Sequence, residues 1–207
     1  MKLTVKKGNG DKVHLHLDSE YFMTVDEAYF ASLGVKNGQD IDGACLRELK
    51  EKINGRRAYN YAVELLSRRD HSRKELTDKL KLKGMGEYAQ DATDRLEEQG
   101  YLDDERFAFS YARELIRLKS YGKRRIEQEL YRKGIDRELI GIVLDECDFP
   151  AEKLTELIER KFLKYLSDEK GVNKTVNALL RYGYSYGEIR DSLKEIIDRE
   201  EFEADDE

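Results

Sequence analysis

The sequence has no tryptophan, one proline and two cysteines in 207 residues, and it contains no long apolar run. A membrane-spanning helix needs about 18 or more consecutive apolar residues. Since the sequence has no such run, we do not expect a membrane-spanning protein. Disordered chains are typically rich in proline and poor in aromatic residues, whereas this chain has 13 tyrosines. The composition, with 40% charged residues, therefore indicates a folded and highly polar protein.

The cysteines and the first residues of the chain indicate a reducing compartment. Cys45 and Cys147 lie far apart and form no Cys-x-x-Cys spacing, so we expect free thiols. The stretch 1–12 becomes polar before an apolar segment typical of secretory signals can form. We therefore expect a cytoplasmic protein.

Charge is balanced except near the end of the sequence. The formal net charge is −6, and the string DREEFEADDE at 198–207 contains seven acids and one arginine. We predict a solvated acidic tail at 199–207. Since the rest of the chain is close to neutral, net charge neither requires nor excludes a polyanionic partner.

A segment of about fifty residues occurs three times, which is typical of repeat proteins. Residues 58–84 align without gaps to 108–134, with identical residues at eight positions, and a diverged third copy follows residue 150. Each copy begins with apolar residues spaced as on one face of a helix. The identical pairs are Ala58/Ala108, Tyr61/Tyr111, Ala62/Ala112, Glu64/Glu114, Leu65/Leu115, Leu80/Leu130, Lys83/Lys133 and Gly84/Gly134.

Start and stop signals divide each copy into three helices. Ser72 with Glu75, and Ser185 with Glu188, have the spacing of a capping box. Gly84 and Gly134 follow the second helix of their copies, where a glycine often ends a helix. His71, just before the first capping box, is expected to be an exposed loop residue.

Residues 1–54 have a different pattern. Apolar and polar residues alternate on both sides of a Gly-Asn-Gly turn at 8–10, which predicts a β-hairpin, with a short third strand at 21–23. Two helices should follow, and the second, from about Gly43 to Ile53, should lead through Gly55 into the repeats.

The predicted fold is therefore mainly α. We expect an elongated array of three tandem three-helix repeats, preceded by a small N-terminal β-hairpin/helix segment. The predicted segments are 1–54, repeat 1 at 55–101, repeat 2 at 102–149, repeat 3 at 150–198 and the acidic tail at 199–207. Such an array offers a long surface and no single deep pocket.

No pattern predicts catalysis. His14 and His16 alternate on the polar side of a strand, where two readings are open: chelation of a metal, or the preferred one of exposed polar residues without a third ligand. No phosphate-binding loop or dinucleotide fingerprint is present. We expect no enzyme, no cofactor and no metal site.

Two basic clusters recur at matching positions of the first two repeats. The run Lys123–Arg124–Arg125 contains no acid and lies at a helix start, where positive charge opposes the helix dipole. Contact with a polyanion or an acidic protein groove would explain it, and a solvated face with ion pairs along the helix is the alternative. The predicted partner-binding residues are Arg68, Arg69, Arg73, Lys74, Lys123, Arg124, Arg125 and Arg132.

The string Leu-Asp-Asp-Glu-Arg-Phe-Ala at 102–108 is the most distinctive. Structurally, Leu102 should close the preceding repeat, Asp103 or Asp104 should cap a helix, and Phe107 and Ala108 should enter the core. Together with segments 67–76 and 121–130, this string resembles the bacterial recombination regulator RecX. The family-motif residues are Leu102, Asp103, Asp104, Phe107, Ala108, Gly84 and Gly134.

This resemblance covers roughly 56–200, and it implies a non-enzymatic protein that binds the RecA recombinase. A RecX protein would lie in the groove of the RecA–single-stranded DNA filament and inhibit ATP hydrolysis, filament growth and strand exchange. We expect a monomer whose direct DNA binding is weak, because the chain is more acidic than several relatives. A DNA-binding module that acts independently of RecA, and a generic helical adaptor, remain alternatives.

Overall fold

The computed structural model describes the backbone of residues 1–205 and the side chains of residues 1–199. These residues form two compact units. The first contains Met1–Arg69 and Leu76–Tyr101, and the second contains Asp70–Glu75 and the chain from Leu102 onward. The predicted class, mainly α with a small N-terminal sheet, is confirmed.

The N-terminal sheet has the antiparallel order β1-β2-β3. Its strands are β1 (Leu3–Lys7), β2 (Lys12–Leu17) and β3 (Glu20–Asp26), so the third strand is longer than predicted. One face of the sheet is apolar and packs on the residues that follow, as the period-two pattern requires. The buried residues of this core are Leu3, Val13, Leu15, Val25, Leu33, Ile41, Leu49 and Ile53.

Helices occupy most of the remaining described chain. They are α1 (Glu27–Ser32), α2 (Gly43–Leu66), α3 (Arg73–Leu82), α4 (Ala89–Glu98), α5 (Asp104–Lys119), α6 (Lys123–Arg132), α7 (Arg137–Glu146), α8 (Glu152–Lys161), α9 (Glu169–Tyr182) and α10 (Tyr186–Asp205), with short 3₁₀ turns at Gly86–Tyr88 and Leu163–Tyr165. The three repeats correspond to α2–α4, α5–α7 and α8–α10. Their boundaries stay predictions, and residues 206–207 of the predicted acidic tail lie outside the described chain.

The sequence signals at the helix ends act as expected. The Ser72 hydroxyl accepts a hydrogen bond from the Glu75 amide at 3.2 Å, and the Glu75 carboxylate accepts one from the Ser72 amide at 3.4 Å. The second predicted capping box, Ser185 with Glu188, has the same two reciprocal hydrogen bonds. Gly84 and Gly134 follow their helices with φ of 76° and 83°, in the left-handed region that glycine adopts most easily.

The predicted helix end near Ile53 is wrong, because α2 continues through Gly55 and runs from Gly43 to Leu66. A glycine inside a helix costs only about 1 kcal/mol relative to alanine, which packing can offset. Here a β-carbon at Gly55 would lie 3.8 Å from the Tyr88 ring, so the helix passes close to a packed aromatic side chain.

A cation lies over an aromatic ring at the same place in each repeat. Lys83 lies over Tyr61 at 5.8 Å in the first copy, and Lys133 lies over Tyr111 at 5.1 Å in the second. In the third copy the residue types are exchanged. Lys161 lies at the tyrosine position of the first helix, and its ammonium is 5.4 Å from the ring of Tyr182. The pairing is kept although both residues differ.

Candidate partner-binding surface

The N-terminus of α6 meets the C-terminus of α9 head to tail. The Gly122 amide donates to the Tyr182 carbonyl at 2.9 Å, and the Arg124 amide donates to the Gly183 carbonyl at 3.2 Å. Helix ends leave amides and carbonyls without partners inside the helix. At this junction the two ends satisfy each other, which fixes the position of the Lys123–Arg125 run.

Glycine makes this junction possible. Gly183 has a φ of 95°, and a β-carbon there would lie 2.3 Å from the Arg125 amide nitrogen. On the other side, a β-carbon at Gly122 would lie 2.7 Å from the Gly183 carbonyl. Any larger residue at either position would force the two backbones apart.

The three cations of the run have different surroundings. The Arg125 guanidinium contacts the Glu129 carboxylate at 2.6 Å and lies 5.4 Å from the Tyr121 ring, with only 28% of its side chain exposed. Lys123 and Arg124 are exposed and make no ion pair with any described residue. The Lys123 ammonium lies over the Phe149 ring at 5.3 Å.

The surroundings of this run differ from the expectation in two respects. Arg125 is neutralised by Glu129, one helical turn later, so within this run only Lys123 and Arg124 make no ion pair with a described residue. These cations also lie where α9 ends, and the C-terminal end of a helix dipole attracts positive charge. Sequence reasoning missed this attraction because the end of α9 is about sixty residues away in the chain.

A second junction of the same kind involves the segment Asp70–Glu75. The Ser72 hydroxyl donates to the Lys133 carbonyl at 2.6 Å, and the Lys74 ammonium donates to the Arg132 carbonyl at 3.4 Å. Lys133 in turn contacts the Glu75 carboxylate at 2.6 Å. A β-carbon at Gly134 would lie 2.5 Å from the Lys74 side chain. Lys74 is thus part of a helix junction as well as a candidate binding residue.

The structure places the other predicted cations in several environments. Arg132 contacts Glu129 at 3.1 Å, so this acid holds two arginines. The Arg73 amide donates to the Asp104 carboxylate at 2.7 Å. Arg68 pairs with Glu64 on α2, and Arg69 is exposed just beyond that helix in the first unit.

The motif at 102–108 has a structural role. Leu102, Phe107 and Ala108 are buried, and Asp103 caps α5 by accepting the Arg106 amide at 2.8 Å. Asp104 acts on a different helix by accepting the Arg73 amide at the start of α3. Sequence reasoning had no signal for this contact, because the two residues lie in different repeats.

His71 is buried, with 4% of its surface exposed, so the prediction that it is an exposed loop residue is wrong. Its Nδ1 lies 3.6 Å from the Glu75 carboxylate. The next residue, Ser72, is buried as well and donates to the Lys133 carbonyl, so this loop is held by a contact that is distant in sequence.

Tyr184 lies between the second and third repeats. Its hydroxyl donates to the Ser120 carbonyl at 3.0 Å in a buried position. Burial, followed by the nearby Glu188 charge, raises the pKa of Tyr184 to about 12.

The contribution of Tyr184 to stability should depend on pH. Its pKa is higher in the folded chain than the usual value of about 10. The contribution is therefore complete below pH of about 10 and is lost as the pH rises toward 12. We expect the difference in unfolding free energy between wild type and Tyr184→Phe to decrease over that range, as measured by urea denaturation. Parallel pH profiles would contradict the buried hydrogen bond.

The described residues contain no helix that could span a membrane. In the same part of the chain, no three or more His, Cys, Asp or Glu side chains are grouped as metal ligands. The fold and this surface define a protein built from tandem three-helix domains, with exposed cations near its helix junctions.

Family models identify these domains. The model described as "RecX, first three-helix domain" matches residues 58–96, and "RecX, second three-helix domain" matches 103–144. A "Regulatory protein RecX" of Caldanaerobacter subterraneus is 32% identical over 91% of this chain and 95% of its own length. Another of Clostridium botulinum (strain Alaska E43 / Type E3) is 30% identical over 96% of each chain. The chain belongs to the RecX family of regulatory proteins.

Solved structures agree with this assignment. A crystal structure of RecX from Lactobacillus salivarius is 28% identical, with a TM-score of 0.61 over 70% of this chain and 97% of that one. A second structure, titled as regulatory protein RecX, shares the fold at 23% identity, with a TM-score of 0.70 over 92% of this chain and 97% of that one.

Proposed function

We propose that this chain is a non-enzymatic regulator that binds RecA and the RecA–single-stranded DNA filament. Binding inhibits ATP hydrolysis, filament growth and strand exchange, and the protein acts as a cytoplasmic monomer. Family membership supports regulation as the function. The proposed contact site rests on one observation. Lys123 and Arg124 are both exposed, and neither makes an ion pair with a described residue.

The chemistry of this pair suits an acidic partner surface. Two exposed cations, fixed at a rigid helix junction, can bind carboxylates or phosphates without losing ion pairs of their own. The neighbouring Arg125 and Arg132 are already held by Glu129. Since a filament presents the same protomer repeatedly, weak contacts by several repeats would add up to useful affinity.

A DNA-binding module independent of RecA is the second candidate. In the second unit, Arg106, Arg113 and Arg117 line an open groove of about 620 Å³ along α5. Guanidinium groups bind phosphates well, but Glu114 and Glu146 line the same groove and oppose a polyanion. Binding to free DNA through phosphates would weaken steeply with salt, whereas a RecA-dependent effect would persist at physiological salt.

The test is ATP hydrolysis by the cognate RecA on single-stranded DNA, titrated with this protein at physiological salt. We expect inhibition at or below stoichiometric amounts, because binding along a filament affects many protomers. Unchanged hydrolysis at a stoichiometric amount would reject the proposed function.

A further inference from the structure

The outer face of the N-terminal sheet carries two cross-strand rows of polar and aromatic residues. One row is Lys6, His14 and Thr24, and the other is Thr4, His16 and Tyr21. The opposite face of the same strands is the apolar core. Since strand residues alternate between faces, both rows lie on the side away from that core.

A β-bulge places Tyr21 on this face. Leu15 pairs with Met23, but the next residue, His16, pairs with Tyr21, so Phe22 is an extra residue on β3. Phe22 and Met23 both pack against the core. A regular strand would instead have turned Tyr21 inward. Bulges commonly redirect a side chain at functional positions.

The bulge brings three rings together. Tyr21 contacts His14 and His16 edge to face, with ring centroids 6.2 and 5.9 Å apart. Its hydroxyl lies 3.0 Å from the Thr24 hydroxyl, which fixes the orientation of the ring. Even so, 64% of Tyr21 is exposed. A ring that is held in place and yet open to solvent is ready to stack against another flat group.

Lysines of β1 and β2 lie beside the rings, while Asp18, Glu20 and Asp26 follow on the next turn and on β3. The first two strands and their turn, residues 1–17, contain Lys2, Lys6, Lys7 and Lys12 and a single acid, Asp11. Lys12 is paired with Asp26 of β3, whereas Lys6 is exposed in the same row as His14. The combination of an exposed ring cluster with adjacent lysines is complementary to flat bases on a polyanionic backbone.

We propose that this face binds single-stranded nucleic acid. Bases stack on Tyr21 and the neighbouring imidazoles, while the lysines attract the phosphates, as in other sheet surfaces that bind unpaired bases. Chelation of a metal by the two histidines fits less well. His14 Nδ1 lies 2.7 Å from the Thr24 hydroxyl and His16 Nδ1 lies 3.3 Å from the His14 carbonyl, so both are engaged in hydrogen bonds. The proposal does not depend on binding to RecA.

The test measures binding of the full chain to fluorescein-labelled oligothymidine by fluorescence anisotropy at low salt, without RecA. We expect Tyr21→Ala to weaken binding about tenfold, since one stacked base contributes on the order of a tenfold or greater factor. Tyr21→Phe should keep the affinity within about twofold, because the ring is retained. A duplex of the same length should bind more weakly, since its bases are already stacked.

Tyr186→Ala is the matched control, because Tyr186 is also 64% exposed but lies in the second unit. Equal losses for Tyr21→Ala and Tyr186→Ala, or equal affinity for duplex and single strand, would overturn the proposal. The chain has no tryptophan, so Tyr21→Trp adds a single fluorescent reporter at the site. Oligothymidine should quench it, and an unchanged emission spectrum would count equally against stacking. This second measurement decides the question if Tyr21→Ala does not fold.

Discussion

Reversing the charge of both Lys123 and Arg124 to glutamate should abolish inhibition of RecA. Both side chains are exposed and unpaired among the described residues, so the change removes the proposed contact and adds repulsion toward an acidic surface. The melting temperature should change by less than about 3 °C, because exposed substitutions alter stability little. The net effect of the helix dipoles is also small, because glutamate is favourable at the start of α6 and unfavourable at the end of α9, and these two effects oppose each other. Inhibition is measured as RecA ATP hydrolysis on single-stranded DNA.

The matched control is Lys170→Glu with Lys174→Glu. These lysines are also exposed, lie in the first turns of α9 and give the same change in net charge. The control should inhibit RecA like the wild type. Arg125 stays unchanged in both variants, because it is held by Glu129 and the Tyr121 ring. If the Lys123/Arg124 variant inhibits at the wild-type concentration, the contact lies elsewhere.

Gly183→Ala should destabilise the protein by about 2–5 kcal/mol. Alanine is strained in the left-handed region, and its methyl group would overlap the Arg125 backbone. The head-to-tail hydrogen bonds between α9 and α6 would lengthen or break as a result. Urea denaturation, followed by circular dichroism, measures the loss.

Gly84→Ala separates the two causes of this effect. Gly84 occupies the equivalent position of the first repeat with a φ of 76°, but a β-carbon there would meet nothing within 4 Å. We expect only the backbone strain, about 1–2 kcal/mol. Equal losses at both glycines would show that the close approach at the α6–α9 junction is unimportant for stability.

Local signals in the sequence predicted much of the fold. Ser72 with Glu75 and the glycines after α3 and α6 are recognisable because a cap or a left-handed turn depends on a few neighbouring residues. The alternating pattern of the hairpin was equally clear. Where prediction failed, packing outweighed the local signal. Gly55 is tolerated within α2 and His71 is buried because of residues that are distant in sequence or brought close by folding.

The candidate surface was less predictable than the fold. The sequence identified the cations but could not show which of them are already paired, because pairing depends on side-chain geometry. Arg125 is held by Glu129, whereas Arg124 beside it is not. Nor could it show that the bulge at Phe22 turns Tyr21 toward His16. The strand register decides which way Tyr21 faces, and the rotation of α6 decides which arginine faces Glu129. A shift of one residue would reverse either outcome.

The exchanged pair of Lys161 and Tyr182 changes how divergence between the repeats should be judged. An alignment that scores each column separately counts two mismatches against Tyr111 and Lys133, although the attraction between cation and ring is retained. In the third repeat the exchange even adds a hydrogen bond, from the Lys161 ammonium to the Tyr182 hydroxyl at 3.0 Å. What has been inherited at this place is a relationship between two positions, and either partner can supply the charge. Compensated exchanges of this kind let duplicated segments drift far apart in letters while their architecture stays the same.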